Sequence, residues 1–126
     1  MRNDAMKQYK SVNLQAAVSA ASPHQLISML YAGAHEAIAR AKGSVERNDI
    51  EGRTAQINKA SDIIVNLKSM LDHSKSAEVS QSLDQLYDVL IAKLFEANRT
   101  NSGQMLEEVN TLLAEVSTAW AEIDPE

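Results

Sequence analysis

Three histidines, His24, His35 and His73, and the adjacent carboxylates Glu107 and Glu108 have side chains suited to metal or acid–base chemistry. The histidines are eleven and thirty-eight residues apart, so no two share a helical turn as metal ligands on one helix would. They read as surface residues without a special role. Glu107 and Glu108 are sequence neighbours that point to different sides of a helix, which makes them solvating charge before they are an acid–base pair. The chain has no cysteine, which removes thiol catalysis, zinc ribbons and disulfides together. Its four glycines leave no material for a phosphate-cradling loop, and G-x-S-x-G, H-E-x-x-H and Glu-x-x-His are all absent. His35 could be cast as a phosphoryl acceptor exposed in mid-helix. Its nearest following cations, Arg40 and Lys42, stand five and seven residues on, neither at the three- or four-residue step that would place them alongside. The reading is a protein with no catalytic residue, no metal site and no cofactor.

The elements that carry these residues are helices. Ser22, Pro23 and Gln25 form a helix start, with a capping hydroxyl, a proline suited to the first turn and a glutamine in capping-box register. Leu26, Met29, Leu30, Gly33, Ala34, Ala37, Ile38 and Ala41 then return to one face, and the small residues among them allow a neighbouring helix to approach closely. A second helix is predicted from Asn48 or Asp49, with Asn48 and Glu51 in capping-box register, to Leu71 or Asp72. Its stripe of Ile57, Ala60, Ile63, Ile64, Leu67, Met70 and Leu71 is wider than a two-per-heptad seam. A third follows over 77–97, using Val79, Leu83, Leu86, Tyr87, Leu90, Ile91, Leu94 and Phe95. A fourth starts near Asn101, uses Met105 to Ile123, and stops at Pro125. Connections this short predict an all-α, antiparallel up-down four-helix bundle over residues 22–123, preceded by a short helical arm, residues 1–21. Met6, Tyr9, Val12 and Leu14 make the arm apolar enough to dock without being core.

At 126 residues the chain suits one domain, 1–126, able to bury a core without staples. Its formal charge of −5 argues against nucleic-acid binding, which draws on Lys and Arg. The charge is divided unevenly. Residues 1–75 carry ten Lys/Arg against seven Asp/Glu, and residues 76–126 carry two against ten. In a bundle the two halves interleave, and part of the asymmetry cancels locally. No run approaches the ~18 apolar residues of a membrane span, and the first fifteen residues lack a signal-peptide core. The expectation is a protein of the cytoplasm with no membrane insertion.

Several motifs in order carry a resemblance to a known family. They are Tyr9-Lys10-Ser11-Val12, the run ASPHQLISMLYAGA from Ala21 to Ala34, and Ile57-Asn58-Lys59-Ala60 continuing through Ile63, Ile64 and Leu67 to Leu71-Asp72. Leu86-Tyr87-Asp88, Leu94, Ala97-Asn98, Glu108-Val109, Leu112-Leu113 and Ala119-Trp120 complete them. With these the chain resembles the FliS family of flagellar export chaperones. It departs from the family pattern at Ala32, where an acidic residue is usual, and at Ser74-Lys75-Ser76, where a glycine pair is usual. The resemblance implies a bundle that binds the C-terminal region of flagellin and keeps it unpolymerised before export. Further partners it implies are an anti-sigma factor and the cytoplasmic domain of an export-gate component. On this reading Met6, Tyr9, Val12 and Leu14 form a displaceable lid, and Ile57, Ile63, Ile64 and Leu67 contribute to the client groove. Tyr87 and Trp120 are expected to pack in the core with a polar edge at the surface. Whether the free protein is a monomer or a homodimer stays open.

Overall fold

The computed structural model describes residues 21–74 and 77–122, and the arm residues Met6, Tyr9, Val12 and Leu14 lie outside them. Four helices follow in order: α1 (Pro23–Glu46), α2 (Ile50–Ser69), α3 (Ala77–Thr100) and α4 (Gly103–Ala121). The start of α1 is as the sequence predicts. Ser22 Oγ accepts from the Gln25 backbone at 3.1 Å, and the Gln25 side chain accepts from the Ser22 backbone at 3.0 Å.

Of the two starts the sequence offers for α2, Asn48 and Asp49, the structure takes Asp49, and α4 is capped one residue after Asn101, for the same reason in each. Asn48 does not cap α2; it adopts φ 57°, in the left-handed region. Its neighbour Asp49 donates its backbone N–H to Ser44 at 2.9 Å, closing α1, and the Asp49 side chain accepts from Gly52, opening α2. The same device recurs between α3 and α4. Asn101 has φ 54°, and Ser102 donates to Ala97 at 3.0 Å while its hydroxyl caps Met105. Asparagine tolerates this backbone better than most residues, so each Asn ends one helix and the next residue starts another. Helix α3 also runs on to Thr100, three residues beyond its predicted end.

Each helix packs on its sequence neighbours, and α4 closes the ring against α1. This is the predicted four-helix bundle. Its core is Ile38, Ile64, Leu90, Leu94, Leu106, Val109 and Leu113 with the small residues Ala34, Ala41, Ala60 and Ala97, all fully buried. Burying each of the larger side chains contributes about 1.5–3 kcal/mol. The small face of α1 brings α2 close, so that a methyl group at Gly33 would touch Ile63 at 3.4 Å. Two residues of the predicted α3 stripe are not core: Phe95 is 72% exposed and Val79 is 58% exposed.

The uneven charge is partly neutralised between helices. Lys42 of α1 pairs with Glu107 of α4, and Lys68 of α2 lies 3.6 Å from Asp84 and 2.8 Å from Asp88 of α3. The Asp88 hydrogen bond leads the effects that hold the Lys68 ammonium above its ordinary range. Such exposed pairs add little stability, but they fix which helix edges face each other.

A candidate binding cleft at the open end of the bundle

The two ends of the bundle are built differently. At the end carrying both tight connections, Arg53 donates to Asn98 Oδ1 at 2.8 Å and to Asn101 Oδ1 at 2.7 Å, and Thr54 donates to the same Asn98 oxygen at 3.1 Å. This network ties the first turn of α2 to the α3–α4 connection. That end is closed by hydrogen bonds.

At the other end the first turns of α1 and α3 meet the last turns of α2 and α4, and the surface is apolar. A hollow of about 290 Å³ lies among Ile27, Leu67, Met70, Leu71 and Leu83, with Tyr31 and Tyr87 also in its wall. A second, more open hollow of about 340 Å³ shares Tyr31, Leu83 and Trp120 with the first and continues over Val79, Val116 and Ala119. The two form one cleft. Val79 belongs to the apolar stripe of α3 but lies so near the helix end that none of the described residues covers it.

Trp120 stands between the two compartments and is held from α1. Its ring stacks on His24 at 4.7 Å with an interplanar angle of 17°. Trp120 Nε1–H donates to the His24 carbonyl at 3.2 Å, and His24 Nε2, facing the Trp120 carbonyl at 3.1 Å, is the donor in return. Tyr31 and Tyr87 meet by their hydroxyls at 2.6 Å, and both rings are buried. Burial pushes both phenols above their ordinary range. The polar edge of Tyr87 therefore meets Tyr31, not the surface as expected. Trp120 is half-buried, and its polar edge meets the His24 carbonyl where a polar edge at the surface is the expectation.

Two of the three histidines also differ from expectation. His24 is the clasp just described. His35 is engaged at both ring nitrogens, Nδ1 by Asn110 Oδ1 and Nε2 by Ser117 Oγ at 3.1 Å, so the phosphoryl-acceptor reading fails. His73 is exposed. Among the described residues no group of His, Asp and Glu could hold a metal ion.

The residues expected in the client groove are scattered by depth. Ile57 and Ile64 are buried in the core, and Ile63 is half-buried against α1. Leu67 is buried yet forms part of the inner hollow's wall, and it alone among the four touches the cleft. Sequence reasoning placed Tyr31, Met70, Val79, Leu83 and Trp120 in helices without seeing that they converge. An apolar stripe reaching the last turn of a helix, with nothing in sequence to cap it, was the available signal.

A hydrogen-bonded bundle closed at one end and apolar at the other, with no catalytic constellation among the described residues, has the makings of a binding protein of chaperone type. The chain belongs to the family described as flagellar protein FliS, whose model matches residues 5–126. Its relatives include flagellar secretion chaperone FliSB of Pseudomonas aeruginosa, 44% identical over 116 residues that cover 92% of each chain. The flagellar secretion chaperone FliS of Salmonella typhimurium is 42% identical over 121 residues, 95% of this chain and 90% of its own. That of Bacillus subtilis is 33% identical over 106 residues, 84% and 78% of the two chains. This is a family of chaperones of flagellar secretion, not of enzymes. No helix among the described residues is long and apolar enough to cross a membrane.

Proposed function

We propose that this protein is a cytoplasmic chaperone that binds the disordered C-terminal region of flagellin, prevents its premature polymerisation and aids its delivery to the flagellar export apparatus. The observation that carries the reading is the apolar cleft at the open end, with Val79 58% exposed on its rim. A segment whose apolar faces are meant for filament contacts needs such a surface while it waits, and ordering a disordered chain on it keeps the affinity reversible.

An uncovered cleft is also an aggregation hazard for the free chaperone. The chain enters α1 at Ser22, at this same end, immediately after the segment carrying Met6, Tyr9, Val12 and Leu14. In our reading that segment covers the cleft until the client arrives, and Leu67 supports the wall beneath both. Ile57, Ile63 and Ile64 then act behind the groove by setting the distance between α1 and α2. A second reading, a regulatory module for an anti-sigma factor or an export-gate domain, draws on Phe95, which stands 72% exposed on α3 and is not part of the cleft.

The test is calorimetric titration with the C-terminal segment of flagellin from the same organism, beside a segment from its N-terminus. A one-to-one complex with the C-terminal segment only, with a negative heat-capacity change, supports the proposal. Heat from neither segment overturns it.

A further inference from the structure

The inner hollow is mostly apolar, and the side-chain donors in its wall can be counted. The Ser80 hydroxyl gives its proton to the Asp72 carbonyl at 3.0 Å, and the Trp120 indole N–H is committed to His24. There remain the hydroxyls of Tyr31 and Tyr87, 2.6 Å apart. Each phenol has one proton to give. Only one of the two protons can lie on the line between the oxygens, so one O–H has no acceptor among the described residues. Tyr31 forms part of both compartments of the cleft, whereas Tyr87 lines the inner one alone. The arrangement that serves both rings has Tyr87 donating to Tyr31, with the Tyr31 proton left on the cleft side.

We propose that the Tyr31 hydroxyl is a specificity-determining donor of the cleft, giving a hydrogen bond to a main-chain carbonyl of a bound segment whose neighbouring apolar side chain fills the hollow. The inference rests on the reading of the cleft as the client site. A carbonyl carried into an apolar wall loses its water and needs a donor there. Carbonyls in mid-helix already have one within the helix and gain nothing from Tyr31. The last four carbonyls of a helix, and those of an extended stretch, do not. The cleft therefore selects a segment seated by an extended stretch or by the final turn of a helix, and rejects an equally apolar helix laid across it by its middle.

The test titrates the full chain and its Tyr31→Phe and Tyr87→Phe variants with the flagellin C-terminal segment, after circular dichroism has shown each variant folded. Loss of a buried donor to a carbonyl is expected to weaken binding about tenfold in Y31F. Y87F removes a wall hydroxyl and the bond that orients Tyr31 but leaves the Tyr31 proton in place, so it is expected to weaken binding less than Y31F does. A set of client peptides with one amide replaced by an ester, which weakens that carbonyl as an acceptor, gives a second measurement on the unaltered protein. One position should be sensitive with the unaltered protein and with Y87F, and insensitive with Y31F. Y31F binding as tightly as the unaltered protein, or an ester series with no sensitive position, overturns the inference while leaving the client reading standing. If the unaltered protein binds no client segment, the client reading fails and the inference falls with it.

Discussion

His24 and Trp120, 96 residues apart, lie face to face at 4.7 Å, and the ring nitrogen of each faces the other's backbone carbonyl. This reciprocal clasp joins the first turn of α1 to the last turns of α4 and sets the wall shared by both compartments of the cleft. His24→Ala removes the stack and one of the two hydrogen bonds. The expected loss is about 1–2 kcal/mol of unfolding free energy, read as a lower urea midpoint. Trp120 is the only tryptophan, so its emission reports directly on the clasp. An unchanged midpoint together with unchanged emission would show that the stack contributes nothing.

Asn48 and Asn101 hold the same left-handed backbone but differ in what their side chains do. Asn101 Oδ1 accepts from Arg53 at 2.7 Å, whereas Asn48 is exposed with no side-chain bond of this kind. Alanine at either site is expected to cost about 1–2 kcal/mol through the backbone alone. Glycine separates the two. N48G should match or exceed the unaltered protein in thermal stability, while N101G should remain below it because the Arg53 bond is lost. Equal behaviour of the two glycine variants would mean that the Arg53 network adds nothing.

The buried tyrosines predict an alkaline limit. Both phenols are raised in the folded state above the ordinary value of 10.0, first by burial. A raised folded pKa gives stability that is fully present below the unfolded pKa and lost as pH rises beyond it. Urea midpoints should therefore be level from pH 7 to 9 and fall above pH 10. Lys68, also raised, acts with the same sign, so the Y31F/Y87F double variant is the control. Its midpoint should fall less steeply above pH 10, and an equally steep fall would place the dependence elsewhere.

Much of the fold was legible because its signals are local. The cap made by Ser22, Pro23 and Gln25 is encoded within four residues, and Ile64, Leu90, Leu94 and Leu106 declare their burial by helical spacing. The sequence leaves the start of α2 open between Asn48 and Asp49, and that of α4 near Asn101, because asparagine suits both a helix start and a left-handed stop. The choice depends on Asp49 and Ser102, which can serve both helices. The cleft was not legible, since it is a property of helix ends. Val79 has the same spacing as a core residue and differs only in lacking a covering neighbour among the described residues. The Tyr31–Tyr87 bond spans 56 residues, and the His24–Trp120 clasp spans 96. No periodicity encodes such pairings.

Val79 offers a test of the cleft that leaves the core alone. Exposed side chains away from caps and networks usually change stability by less than about 0.5 kcal/mol when replaced. Val79→Asp should thus keep the unaltered urea midpoint. It places a carboxylate on the apolar rim, close to Glu115, where a client side chain would have to strip its water. Client affinity should fall at least about tenfold, whereas Phe95→Asp, outside the cleft, should leave it unchanged. Loss of affinity in the Phe95 variant alone would move the client site to the outer face of α3.

Deleting residues 1–14 separates a lid from a core element. A lid competes with the client, and if it closes the cleft in nine molecules of ten, the apparent affinity is about tenfold weaker than that of the open cleft. The deleted segment carries Arg2, Lys7 and Lys10 against Asp4, and the cleft rim includes Glu115, so on the lid reading attraction between them would add to apolar contact and fade with salt. Without it, client binding should tighten several-fold, the salt dependence of that affinity should shrink, and the helical signal of the four long helices should stay intact. The truncated protein should also self-associate more readily, because its cleft is permanently open. Cooperative unfolding on deletion would make the segment part of the core and end the lid reading. Intact helices with unchanged affinity would leave the cleft uncovered in the free protein and place any role of Tyr9 and its neighbours elsewhere.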